Sequence, residues 1–312
     1  MFFSVKNFMS LLVLLLLLVS CNGAKQFSAE QQGTCQAGQQ VIGAHIIFLI
    51  DNSGSMEETD CPNVQRSNDA AMCGSITNRE VAVLDVWERL AQIQNEDPQS
   101  PLAQSFISVS RFTPTNVGQP WNVNDFQPSP PVGTFDDINR QNSQRIQGSM
   151  SFTRKPAGDS PYLNGILAAG NLLQASVAAD SEVARKQKVI IMVTDGEPTD
   201  KNPAEVRMQA EMLKASDVSW YTFLVSKEGD FRRQRVAAHR QLMQQNYLGI
   251  YGPSQPEGRW MAERYSNNFD AYFNELVSLA DVISDRVVEV AGSASLSQII
   301  NEEVISKTGF CQ

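Results

Sequence analysis

Two short apolar runs constrain this chain more than any other feature. His45-Ile46-Ile47-Phe48-Leu49-Ile50 and Lys188-Val189-Ile190-Ile191-Met192-Val193 are continuous rather than alternating, and rich in β-branched residues. Such runs suit strands buried on both faces, and that burial is found in parallel sheets covered by helices on each side. Ser105–Phe112 alternates more, and Trp220–Val225 forms a further run. Between these segments the apolar residues step at helical spacing. Val83, Trp87, Leu90 and Ile93 make one series, and Leu163, Ile166, Gly170, Leu173 and Val177 a second. Val206, Ala210 and Leu213 make a third, and Phe269, Phe273, Leu276, Ala280 and Ile283 a fourth. Asn202 before Pro203, with Glu205 three residues on, has the form of a capped helix start. Strands alternating with helices predict an α/β fold, a doubly wound and mostly parallel sheet flanked by helices.

Both runs end in carboxylates. The first passes into Asp51-Asn52-Ser53-Gly54-Ser55-Met56 and the second into Thr194-Asp195-Gly196-Glu197-Pro198. Ligands of doubly wound sheets bind at the carboxyl ends of strands, near the switch in strand order. A carboxylate and two hydroxyls on alternate residues of a tight loop can converge on one point, with Gly54 expected to let the backbone bend. Few charges and all-oxygen donors suit a hard cation, Mg²⁺, Mn²⁺ or Ca²⁺, rather than zinc. Gly158-Asp159-Ser160-Pro161 opens the second helical series and offers another hydroxyl. Thr153 lies nearby, but Ser160 is preferred because Pro161 suits a first helical turn. A plainer reading stands beside this one, in which Asp51 and Asp195 accept backbone N–H bonds at turns and the serines cap a helix.

Together these motifs resemble the von Willebrand factor type A domain and its metal-ion-dependent adhesion site. The resemblance covers about Val41–Val290. It implies a metal set of Asp51, Ser53, Ser55, Ser160 and Asp195, with Mg²⁺ the first choice of cation and Mn²⁺ or Ca²⁺ behind it. It also implies binding rather than turnover: a protein ligand would offer an Asp or Glu carboxylate to complete the ion's shell. The chain departs from the family pattern at three insertions, 57–77, 114–157 and 228–268. The second is expected to hold an edge strand near Arg145–Phe152. The third carries Arg232, Arg233, Arg235, His239 and Arg240, most simply a solvated helix face.

The amino terminus belongs to another kind of segment. Residues 1–20 carry Lys6 and then an apolar stretch from Phe8 to Val19. That stretch is shorter than the ~20 residues of a comfortable membrane span, and it fits a secretory h-region. Its end, Leu18-Val19-Ser20-Cys21, resembles the lipobox of bacterial lipoproteins, which implies cleavage before Cys21 and lipidation of its thiol. Asn22 in the next position favours the outer membrane, by similarity to enterobacterial lipoprotein sorting. Residues 21–40 then read as a polar tether on a membrane anchor, and 41–312 as one type A domain in the cell envelope, periplasmic or surface-facing.

Lipidation leaves four of the five cysteines. In an exported chain these suggest two disulfides with three possible pairings, of which Cys61–Cys73 and Cys35–Cys311 are favoured. The net charge of −9 argues against a nucleic-acid partner, which needs a basic face. With only His45 and His239 there is little from which to build a His-rich zinc centre. The chain therefore reads as no enzyme: Gly-x-Ser-x-Gly and the phosphate-binding Gly-rich loop are absent, and no Asp-x-x-His accompanies Gly158-Asp159-Ser160. The alternative kept open is an exported metal-dependent hydrolase. A subunit role in a chelatase or ATPase is disfavoured by export.

Overall fold

The computed structural model describes residues 43–61, 64–67, 70–112, 136–137, 143–154, 160–179, 181, 183–196, 198, 200, 202–226 and 278–305. The segments read as signal peptide and tether, the Cys35–Cys311 pairing and the arginine-rich stretch lie outside these residues.

The two continuous runs lie side by side in the middle of one sheet. Strand β1 (Ala44–Asp51) is buried along its whole length. It pairs in parallel with β4 (Phe106–Phe112) on one side and with β6 (Gln187–Thr194) on the other. Beyond β6 come β7 (Val218–Ser226) and β8 (Arg286–Ala291), both parallel. A two-residue antiparallel strand, β5 (Asp136–Asp137), closes the other edge, so the order is β5-β4-β1-β6-β7-β8. A separate hairpin, β2 (Val64–Ser67) and β3 (Ala70–Cys73), lies within the first insertion.

The helices are α1 (Met56–Asp60), α2 (Asn78–Glu96), α3 (Ser143–Met150), α4 (Tyr162–Ala179), α5 (Pro203–Lys214), α6 (Leu279–Ile283) and α7 (Leu296–Ile300). The period-2 geometry of β1 divides them between two layers. Ala44, Ile46, Phe48 and Ile50 belong to the core with α2, through Ala82, Val83, Val86 and Leu90, and with α7 through Leu296 and Ile300. Ile47 and Leu49 belong to the opposite core with Tyr162, Ile166 and Leu173 of α4 and Val206 and Ala210 of α5. Each fully buried aliphatic or aromatic side chain contributes roughly 1.5–3 kcal/mol by leaving water, so β1 anchors both layers at once.

Two helix starts, the predicted one at Asn202 and a second at Thr77, have a local cause. Asn202 Oδ1 accepts from the Glu205 N–H at 3.4 Å, and Thr77 Oγ1 accepts from the Glu80 N–H at 3.2 Å. Each satisfies one of the backbone donors left over in a first turn.

The edge strand expected at Arg145–Phe152 is corrected. That stretch is α3 followed by a 3₁₀ turn over Ser151–Arg154. Its apolar residues Ile146 and Met150 are four apart, which places both on one helical face, and both are buried in the core that contains α2. Of the fourth helical series only Ala280 and Ile283 fall in a described helix, α6. β8 and α7 were not anticipated. β8 is exposed at Arg286, Glu289 and Ala291, with Val290 its one fully buried residue, so it lacks the continuous run that marks an inner strand. Among the described residues no helix is long and apolar enough to cross a membrane.

Candidate functional site

The strand order creates a crevice at one place. From β1 the next strand of the sheet is added on the β4 side, and from β6 on the β7 side. The chain therefore departs in opposite directions from the carboxyl ends of β1 and β6, the switch point at which such sheets bind ligands. Asp51 is the last residue of β1 and Asp195 follows the last residue of β6. Both are fully buried.

The Asp51 carboxylate is held from three sides. Its Oδ1 accepts from the Ser53 N–H at 2.8 Å, an Asx-type turn that folds the loop back on itself. Its Oδ2 accepts from Thr194 Oγ1 at 2.6 Å. Ser160 Oγ lies 3.5 Å from Oδ1, and Ser53 Oγ and Ser55 Oγ are 3.0 Å apart. Ser53 and Ser160 are each 1% exposed, so these hydroxyls are drawn into the crevice rather than facing bulk water. Met56 N–H to Ser53 O and Glu57 N–H to Gly54 O complete the turn into α1. Ser55, the residue before α1, makes no side-chain cap, so its hydroxyl is not spent on that helix.

Gly54 is not the residue that takes the unusual backbone conformation. Among the described residues the left-handed glycines are Gly196 and Gly292. Gly196, with φ 79°, follows Asp195 directly and returns its N–H to Thr194 Oγ1 at 3.1 Å. The bend at β6 thus fixes the hydroxyl that holds Asp51.

Electrostatics at the crevice are unfavourable to two bare carboxylates. Burial, and next the nearby Asp195, push the Asp51 carboxyl up to about 7. Tyr162, beneath the same crevice, is pushed well above its ordinary range, chiefly by burial. A positive charge between the two aspartates would remove the repulsion. Among the described residues, Asp51, Ser53, Ser55, Ser160 and Asp195 offer hydroxyls and carboxylates, a set that fits a hard divalent cation with water filling the remaining positions. Among the described residues no group of three or more His, Cys, Asp or Glu could hold a metal, so any ion here depends on the serines.

Thr153 is part of the scaffold. Its Oγ1 donates to Met150 O at 2.8 Å and accepts from Thr77 Oγ1 at 2.9 Å. The hydroxyl delivered to Asp51 from this part of the chain is that of Ser160.

Three residues of the site were missed in the sequence. Thr194 orients Asp51. Asp200, 6% exposed, accepts from the Tyr162 N–H at 2.8 Å and the Leu163 N–H at 2.9 Å. It caps α4 with negative charge at the positive end of the helix, and so ties the Ser160 loop to the loop after β6. Arg79 donates through Nη1 to the main-chain carbonyl of Asp51 and is wholly buried. Only Arg79 had a visible signal: with Val83, Val86, Leu90 and Ile93 it steps by 4, 3, 4 and 3, on the apolar stripe of α2.

A doubly wound sheet with Asp-x-Ser-x-Ser after its first strand, and an aspartate after the neighbouring strand across the switch point, is an arrangement that resembles the von Willebrand factor type A domain. No protein-family model and no curated protein matches the chain. Solved structures with a similar fold include the pilus adhesin SpaC of Lactobacillus rhamnosus GG, at 14% identity and TM-score 0.47, over 88% of this chain and 31% of that one. Another is proximal thread matrix protein 1 of the mussel byssus, at 15% identity and TM-score 0.44, over 86% of this chain and 49% of that one. A third is the manganese-loaded TRAP protein of Plasmodium vivax, at 12% identity and TM-score 0.39, over 88% and 77%. The chain thus spans about a third of the adhesin and half of the byssus protein.

Proposed function

We propose that this chain is a cell-envelope binding protein that captures a protein partner through a divalent cation, carried on a lipid anchor at Cys21. The observation that carries the reading is the meeting of Asp51, Ser53, Ser55, Ser160 and the Asp195 strand end at one buried switch point. A hard cation, Mg²⁺ before Mn²⁺ or Ca²⁺, would supply the electrophile that an Asp or Glu of the partner meets. Those five residues would hold it. Thr194 and the Ser53 N–H fix the direction of the Asp51 carboxylate, and Asp200 fixes the loop that presents Ser160. Two carboxylates balance the charge of a divalent ion, but the remaining donors are neutral hydroxyls and water, so the ion stays electrophilic and a water position is left for a carboxylate from outside. With a net charge of −9, long-range attraction of an acidic partner is absent, so recognition rests on short-range contacts.

The hydrolase alternative finds less support. Ser160 would need a base, and the one histidine among the described residues, His45, sits at the amino end of β1, bonded through Nε2 to Ser108 Oγ at 3.0 Å. Six residues of extended strand separate it from Asp51, roughly 20 Å.

The test is capture from a cell-envelope extract by wild type and Asp51→Ala, each in Mg²⁺ and in EDTA. Capture by wild type in Mg²⁺ alone is expected. Equal capture in all four conditions would overturn the metal-bridge reading. The anchor is checked separately, by the mass of the mature chain and its loss of lipid in Cys21→Ser.

A further inference from the structure

Behind the first loop lies a buried ion pair that the cation reading does not use. Arg79, 0% exposed, meets Asp60 through Nε, and its backbone N–H donates to Asp60 Oδ1 at 3.1 Å. Its Nη1 donates to the Asp51 carbonyl and its Nη2 to the Thr153 carbonyl at 3.3 Å. One planar guanidinium therefore joins the end of β1, the end of α1, the start of α2 and the turn after α3.

A disulfide brackets the same group. Cys61 and Cys73 are bonded, with Cα atoms 5.2 Å apart. Cys61 follows Asp60 directly. Cys73 Sγ lies 3.7 Å from the Thr153 carbonyl oxygen. Two of the three acceptors around Arg79 thus adjoin the two halves of one covalent link. A buried guanidinium whose carboxylate partner shifts is left uncompensated in a low-dielectric surround, and it relaxes by moving. The third acceptor, the Asp51 carbonyl, moves with it. Cys61 is half-buried, so a small reductant can reach the link.

We propose that Arg79 and Asp60 are positioning residues for the first metal-binding loop, and that the Cys61–Cys73 disulfide locks them, so that its reduction weakens cation binding. This rests on the cation-binding reading above. In the reducing step a dithiol gives two electrons and two protons. The Cys61–Cys73 S–S bond breaks to two thiols, and the dithiol closes to its own disulfide.

The experiment titrates Mg²⁺ by calorimetry into the full chain in mild detergent, oxidised and after dithiothreitol treatment and desalting under nitrogen. Alkylation and mass spectrometry verify the state of both thiols. Reduction is expected to weaken affinity about tenfold, the scale of lost outer-shell support at metal sites. Far-ultraviolet circular dichroism should be unchanged, and reoxidation should restore the affinity. Cys61→Ser/Cys73→Ser should start weak and ignore dithiol. Asp60→Asn, which leaves the disulfide intact, should be weak while oxidised. Equal affinity of oxidised and reduced wild type, a dithiol effect persisting in the double variant, or an unaltered Asp60→Asn each overturns the proposal. Absence of Mg²⁺ binding by oxidised wild type would instead overturn the cation-binding reading on which it stands.

Discussion

Thr194 carries one hydroxyl with two duties: it donates to Asp51 Oδ2 and accepts from the Gly196 N–H. Thr194→Val keeps the shape and removes both bonds. Loss of a bond to a charged group is worth about 1.5–3 kcal/mol, so Mg²⁺ affinity is expected to fall on the order of tenfold to a hundredfold by calorimetry. His45 offers a pH test at the opposite end of β1. Burial first, and Lys188 second, lower its pKa from 6.5 to about 4. Between those values the unfolded chain takes up a proton that the folded chain refuses. Stability therefore falls as pH drops from about 6.5 to about 4, and the lost contribution is about 3 kcal/mol. In His45→Gln that component is absent. Urea midpoints of both proteins at pH 7.5 and 4.5 check it, and an equal loss in the two would refute it. The residues legible in the sequence were those whose chemistry is stated by type and spacing: Asp51, Ser53, Ser55 and Asp195. Thr194 and Asp200 were not, because each acts through a partner far away in sequence, and no local pattern announces a contact of that kind.

The elements were legible in proportion to their burial. β1 and β6 are covered on both faces, so nearly every residue had to be apolar and the run was continuous. β8, exposed at half of its residues, carries Arg286 and Glu289 and reads as loop. α3 was misread because two apolar residues in eight make a weak signal for either period. Its place is fixed instead by the turn that follows it, where Thr153 and Thr77 join their hydroxyls. Thr77 also caps α2, so Thr77→Ala removes a helix cap and a cross-link together. A loss of about 1–2 kcal/mol is expected, seen as a lower urea midpoint at unchanged slope, with Thr77→Ser recovering most of it.

At the scale of the whole molecule, the buried carboxylates and the fold share one energy balance. Burial and Asp195 make the ionised Asp51 costly at neutral pH, so a cation that binds only the folded chain adds to its stability. At a concentration a hundred times its dissociation constant the gain is about 2.7 kcal/mol, a rise in melting temperature of roughly 5–10 °C. Scanning calorimetry with Mg²⁺ and with EDTA should show that rise in wild type and none in Asp51→Ala. The fold class could be read from the sequence as a whole because alternation of strand and helix is a long-range regularity. The two-sided winding that sets the site between β1 and β6 became visible only when the strand order was known.

Strand β1 is paired in parallel on both sides and packed on both faces. Its amides consequently have no partial opening available to them and exchange with deuterium only when the whole domain unfolds. Exchange along Ile46–Ile50 is expected to be the slowest in the chain and to slow further with Mg²⁺ by the same factor as global unfolding. Asp51 closes this strand, and the Ser53 N–H and Asp200 hold the two serine loops beside it.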